Sequence, residues 1–116
     1  MEVSEIAKDK IKELETIEQS LSNLMFKRQQ LSTQLAELES AIQELSGSGV
    51  SYKIVGNIMV KVSPDSLSKE LNEKKSVTEL KIKTIENQEQ KLKEKLHALQ
   101  NEVLGQISQK KGKEGD

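Results

Sequence analysis

From Leu14 to Leu45 the apolar positions recur in alternating steps of three and four. Leu14, Leu21, Arg28, Leu35 and Ile42 fall on one seam position, and Ile17, Leu24, Leu31, Leu38 and Leu45 on the other. Every one of these except Arg28 is leucine or isoleucine, which is the a/d pattern of a helix that buries a narrow stripe against another helix. Upstream the pattern loosens: Val3, Ala7 and Lys10 keep the spacing, while Ile6 and Ile11 sit just off it. Ser46-Gly47-Ser48-Gly49 then stops the helix, because glycine accepts the left-handed cap and loop conformations that other residues resist. The expected first helix spans 1–46.

The pattern changes to alternation in Ser51-Tyr-Lys-Ile-Val-Gly-Asn-Ile-Met-Val-Lys-Val62, which predicts a β-hairpin over 51–62. A two-residue turn at Gly56-Asn57 pairs Val55 with Ile58, Ile54 with Met59, Lys53 with Val60 and Tyr52 with Lys61. Val55, Ile58, Val60 and Val62 then share one face, and Tyr52, Ile54 and Met59 the other. An isolated two-stranded hairpin is marginal in water, and the two helices already bury their stripes in each other. A hairpin apolar on both sides is therefore read as an element of assembly.

Ser63-Pro64-Asp65 signals the next helix: a serine N-cap, proline at the first helical position and an acid in the first turn. Its stripe runs Leu71, Lys75, Thr78, Ile82, Ile85, Glu89, Leu92, Leu96, Leu99 and Val103, with Leu67, Val77 and Leu80 widening the apolar face near the hairpin. The expected helix spans 64–108, and the polar, glycine-bearing 109–116 reads as a disordered tail. Each stripe is about 40 residues, or roughly 60 Å of helix, and the short connection folds the two back antiparallel within one domain, 1–116. The expected fold is mainly α, a long antiparallel two-helix coiled coil with an inserted β-hairpin. Each seam holds one charged residue deep in its regular part, Arg28 and Glu89. If Leu45 packs near Leu71 or Asn72, the two lie within about a turn of each other; they then pair to fix register, or else snorkel to solvent.

Composition narrows the chemistry. Charged residues make up 32% of the chain and aromatics 2%, with one proline, which suits long helices rather than a compact mixed core. Lys+Arg total 18 against 19 Asp+Glu, so no net field draws nucleic acid or an anionic membrane. No apolar run approaches the roughly 20 residues of a membrane span, and Glu2, Glu5, Lys8, Asp9 and Lys10 occupy the place of a signal peptide's apolar stretch. The expectation is a soluble, cytoplasmic protein. The absence of cysteine removes disulfides, thiolate metal sites and cysteine nucleophiles. His97, the single histidine, follows a seam leucine and sits on the helix flank. Glu37 with Glu39 and Glu86 with Glu89 are read as solvated-face acids, and Gly47 and Gly49 lack the lysine and hydroxyl residue of a phosphate loop. The chain is expected to be no enzyme, with no catalytic residue, metal or cofactor.

Several of these segments are similar to a known family. Tyr52-Lys-Ile-Val-Gly56, then Asn57-Ile-Met-Val-Lys-Val62, Lys69-Glu-Leu-Asn-Glu-Lys-Lys75 and the Lys/Glu-rich Leu80–Leu96 resemble the beta class of the prefoldin family in its archaeal form. The resemblance is close from about Phe26 to Leu99. An aromatic-Lys-x-Val-Gly turn between two heptad helices is the specific part, since heptads alone say little. A single hairpin resembles the beta class, whereas alpha-type subunits carry two.

The resemblance implies a hetero-hexamer of two alpha-type and four beta-type subunits, its hairpins joined into a β-barrel platform. It further implies an ATP-independent holdase that passes unfolded polypeptides to a group II chaperonin. On that reading Tyr52, Ile54, Val55, Ile58, Met59, Val60 and Val62 are the oligomerisation residues. The family binds clients at the distal tips, which places Val3, Ile6, Ile11, Leu14, Leu99, Val103, Leu104 and Ile107 at the client site, unless these residues simply close the coil. Two other readings compete. One is a structural coiled-coil scaffold or dimerisation rod whose hairpin only reverses the chain; the apolar hairpin argues against it. The other is a nucleic-acid accessory protein using Lys110, Lys111 and Lys113, which a flexible, solubilising tail explains as well.

Overall fold

A computed structural model describes residues 5–114, with side chains described for 5–106. Helix α1 runs Glu5–Leu45, strand β1 Ser51–Val55, strand β2 Ile58–Val62 and helix α2 Pro64–Glu114. Two compact units divide the chain. One contains residues 28–84, with the hairpin and the helix segments on either side of it; the other contains the N-terminal part of α1, through Lys27, and α2 from Ile85.

Both helices bury the stripe that their spacing predicts. In α1 every seam position from Leu14 to Leu45 is buried or half-buried, and the residues between are exposed apart from Ser20 and Ala41. In α2 the same holds for Leu71, Lys75, Thr78, Ile82, Ile85, Glu89, Leu92, Leu96, Leu99 and Val103. A narrow stripe is what two facing helices need, and Val77 and Leu80, beside it on α2, stay exposed. Three polar seam residues are accommodated locally. Thr78 returns its hydroxyl to the Lys74 carbonyl at 2.8 Å, so a buried hydroxyl stays satisfied. Lys75 carries its ammonium out to Glu39 and Glu79, each 3.9 Å away. Glu89 is treated with the candidate site.

Within the hairpin-bearing unit the helices are antiparallel, with Lys75 meeting Glu39. The first turns of α2 meet the hairpin, where Glu70 accepts a hydrogen bond from Lys53 at 2.6 Å. In the other unit the helices are also antiparallel, joined at their flanks by Lys10–Glu102 at 2.9 Å and Glu13–Lys95 at 3.5 Å.

The helix ends follow their local signals. Gly47, at φ 86°, follows Leu45 in the left-handed conformation, and the Ser46 and Ser48 amides donate back to carbonyls of the last turn. At the start of α2 the Ser63 carbonyl accepts the first helical bond, from the Leu67 amide at 3.0 Å, which leaves Pro64 at the position where its missing N–H costs nothing. Two expected boundaries shift. The first helix is described from Glu5, residues 1–4 lying outside the described residues. The second continues through Glu114, so 109–114, expected as tail, are helical; lysine and glutamine propagate a helix well, and Gly112 weakens it by only about 1 kcal/mol. Gly115 and Asp116 lie outside the described residues.

Candidate functional site

The hairpin has the anticipated register. Ser51 pairs with Val62, Tyr52 with Lys61, Lys53 with Val60, Ile54 with Met59 and Val55 with Ile58. Gly56 takes φ 61° while Asn57 keeps a negative φ, which makes the connection a type II′ turn, the form that demands glycine at its first central position. The twist of that turn matches the twist of the strands it joins. Ser51 is buried at the open end, where its hydroxyl donates to the Val62 carbonyl at 2.7 Å and pins the two strand termini together.

Pairing alternates the side chains across two faces, and the two faces are treated unequally. On the face of Ser51, Lys53, Val55, Ile58, Val60 and Val62, only the base is covered: Ser51 is buried and Lys53 and Val62 are half-buried. Toward the turn, Val55, Ile58 and Val60 are exposed. On the opposite face nothing is covered, with Ile54 at 70% exposure, Met59 at 65% and Tyr52 likewise open. Beyond its base, the hairpin leaves two apolar faces in water that a partner could cover. Burial is worth at most about 1.5–3 kcal/mol per large side chain.

One ion pair ties this hairpin to a helix. The Lys53 ammonium donates to the Glu70 carboxylate at 2.6 Å, and Lys74 approaches the same oxygen at 3.8 Å from one turn along α2. The hydrogen bond from Lys53 holds the Glu70 carboxyl below its ordinary value; partial burial opposes this shift, and the positive charges of Lys53 and Lys74 add to it.

The sequence-predicted tip residues separate into two groups. Ile6 and Leu104 are exposed, at 62% and 64%. Ile11, Leu14 and Leu99 are half-buried and Val103 is buried, so these four help to close the coil. Val3 and the side chain of Ile107 lie outside the described residues. Arg28 is half-buried and Glu89 is 3% exposed, both on their seams, and neither is without a partner. Among the exposed apolar positions that escaped the sequence reading are Met25 and Phe26, adjacent on α1. Their place off the heptad stripe was the available signal.

Two shallow grooves run along the coil flanks. One, of about 420 Å³, lies between Gln34, Glu37 and Leu38 on α1 and Lys74, Val77, Thr78 and Lys81 on α2. The other, of about 470 Å³, lies between Ser20, Asn23 and Leu24 on α1 and Gln88, Lys91 and Leu92 on α2. Neither brings together a nucleophile, a base and an oxyanion donor. Among the described residues no group of three or more His, Cys, Asp or Glu is placed to hold a metal ion, and no helix is long and apolar enough to cross a membrane.

Residues 8–110 match the family model described as prefoldin subunit, which is nearly the whole chain. The chain belongs to the prefoldin family. The prefoldin subunit beta of Sulfolobus acidocaldarius is 35% identical over 98 residues, covering 82% of this chain and 78% of that protein. The prefoldin subunit beta of Archaeoglobus fulgidus is 34% identical over 105 residues, covering 88% and 90%. Among solved structures, the crystal structure of the prefoldin beta subunit from Thermococcus strain KS-1 superposes with a TM-score of 0.85 at 29% identity, covering 90% of this chain and 94% of that one. The single hairpin between two long helices is the architecture of that prefoldin beta subunit. As a prefoldin of the beta type, the protein is a chaperone subunit that delivers unfolded proteins to a chaperonin, and it is not an enzyme. It assembles with alpha subunits and acts on unfolded clients.

Proposed function

We propose that this chain fills the beta positions of a hexamer of two alpha-type and four beta-type subunits. Tyr52, Ile54, Val55, Ile58, Met59, Val60 and Val62 supply the contacts that close its hairpins into a platform. The observation that carries this reading is the hairpin's exposure on both faces, since a chain that kept Ile54 and Met59 in water permanently would gain nothing from them. Burying a few such side chains at each junction is enough to hold an oligomer. The subunit works without ATP, in the cytoplasm, and passes its clients to a group II chaperonin. Clients are held weakly by each tip, through apolar residues at the free ends of the helices, of which Ile6 and Leu104 are the best supported because both are exposed. Several such tips on one platform raise one another's effective concentration, so weak single contacts suffice. Arg28 and Glu89, charged residues on mostly apolar seams, serve to specify register rather than to add stability.

Light scattering tests the assembly. The chain alone should remain smaller than the species formed on mixing with an alpha-type prefoldin subunit, whose mass should match two alpha and four beta chains. A discrete homo-oligomer indifferent to that partner would refute the reading. The tips are tested by replacing Ile6, Leu104 and Ile107 together with serine. The hexamer should persist while suppression of client aggregation falls severalfold, and full suppression by the intact variant hexamer would remove the tip assignment.

A further inference from the structure

We propose that Lys53 and Glu70 form a tether that sets the pitch of the hairpin on α2 and keeps the face of Val55, Ile58 and Val60 fit for assembly, a positioning role that rests on the assembly reading above. Three observations converge on it. First, Lys53 sits in the middle of β1, paired across the strands with Val60 and sharing a face with Val55 and Ile58. A lysine on an apolar face is a liability there. If that face is covered by another subunit while the ammonium is unpaired, the desolvation of a charge opposes the burial of the valines and isoleucine around it.

Second, Glu70 removes the liability. It lies in the second turn of α2, and its carboxylate accepts the Lys53 ammonium at 2.6 Å, drawing the lysine toward the helix instead of across the face. Lys74 approaches the same oxygen at 3.8 Å from one turn along α2. Third, among the described residues this bridge is the one side-chain hydrogen bond between the hairpin and a helix, because the Ser51 bond to the Val62 carbonyl stays inside the hairpin. Without it, the hairpin would be attached to α2 only through its chain connection at Ser63 and the partial burial of its base. Its apolar rows would then be presented over a range of angles. Docking a loosely held hairpin costs more ordering entropy than docking one already set in place.

The tether is built so that an isolated-chain measurement can see it. Tyr52 is the protein's single tyrosine and there is no tryptophan, so its fluorescence reports the strand position next to Lys53. The experiment compares wild type with Lys53→Glu, Glu70→Lys, the double exchange and Lys53→Arg. Circular dichroism is recorded for each, so that loss of the helices is separated from loss of the tether. In the isolated chain, each single reversal should lower the Tyr52 emission anisotropy, while the double exchange and Lys53→Arg should hold it near the wild-type value. On mixing with an alpha-type prefoldin subunit, each single reversal should raise the concentration needed for the large species at least tenfold. The double exchange and Lys53→Arg should bring it back to within about threefold of wild type. Single reversals that leave both readouts unchanged overturn the tether, and so does a double exchange that rescues neither. A wild-type chain that ignores the alpha-type subunit while the reversals still lower the anisotropy removes the role in assembly, together with the assembly reading, and leaves a tether of the isolated hairpin.

Discussion

The helical stripes and the hairpin use the same kinds of residue and dispose of them in opposite ways. Along α1 and α2, leucine and isoleucine at seam spacing are covered, and their neighbours are wet. In the hairpin, isoleucine, valine, methionine and tyrosine at strand spacing are almost all in water. Along the helix seams the apolar side chains are covered by the chain itself, so a substitution there should be felt by the isolated subunit. In the hairpin the account stays open, and a substitution should be felt only when a partner is present. The contrast separates residues of folding from residues of assembly without any catalytic or ligand chemistry to guide the division.

The strongest way to break this contrast is on the fully open face. Replacing Ile54 and Met59 together with lysine should weaken association with an alpha-type subunit more than 100-fold, because two apolar contacts are lost and two charges must be desolvated. The thermal melt of the isolated chain, followed by helical circular dichroism, should move by less than about 2 °C. A melt lowered by 10 °C would mean that the hairpin is part of the subunit's own core. The reciprocal substitution belongs to the helices. Ile17 is 5% exposed on its seam, and Ile17→Ala should cost the isolated chain about 2–4 kcal/mol in urea unfolding, the usual consequence of emptying a buried aliphatic site. Ile54→Ala should cost the same isolated chain less than about 0.5 kcal/mol.

Much of this division was legible in the sequence, for reasons that differ by element. The heptads of α1 and α2 could be counted because a two-helix seam constrains each residue by its spacing alone, and every seam position from Leu14 to Leu45 is at least half-buried. The hairpin register could be derived because Gly56-Asn57 fixes the turn and a pairing shifted by one would exchange the faces. The tie between hairpin and helix was not legible, since nothing in the heptads reveals that Glu70 is drawn to Lys53. The tail failed for another reason: composition marks Lys110, Lys111 and Lys113 as polar, but polarity is compatible with helix, and α2 runs to Glu114. At the tips, spacing placed eight apolar residues near the chain ends without distinguishing Ile6 and Leu104, which point outward, from Val103, which does not. That distinction depends on the partner helix.

Arg28 and Glu89 sharpen the comparison from inside the helices, because they are charged residues on seams that are mostly apolar. Glu89 is covered as well as the best apolar seam positions, and a buried carboxylate holds its place only at a cost in desolvation. Arg28→Leu with Glu89→Leu should therefore melt at or slightly above wild type, within about 1 kcal/mol, while losing definition of register. The register is read by cross-linking paired cysteines introduced at Glu39 and Lys75, which meet in the native facing. Efficient cross-linking of that one pair should give way in the double variant to cross-linking of pairs displaced by a heptad as well. A double variant that melts far lower would show the two residues to be stabilising, and the specificity role would be lost.

The smallest effect is one of pH. Because the Lys53 hydrogen bond lowers the folded-state value of Glu70 below its ordinary 4.5, the tether's contribution is fully present above that value. It is lost as the pH falls through the lower, folded value, where the carboxylate takes up a proton and the ion pair with Lys53 ends. The groups facing Glu70 are Lys53 on β1 and Lys74 on its own helix, and the change is carried by the Glu70 carboxylate. Tyr52 anisotropy should hold from neutral pH down to about 4.5 and then fall, with the helical signal falling no earlier. In Glu70→Gln the anisotropy should start low and stay flat across the same titration. A wild-type profile as flat as that of Glu70→Gln would mean that the hairpin keeps its pitch by packing at Ser51 and Val62 alone, and the boundary between self-sufficient helices and partner-dependent hairpin would then lie at the base of the strands.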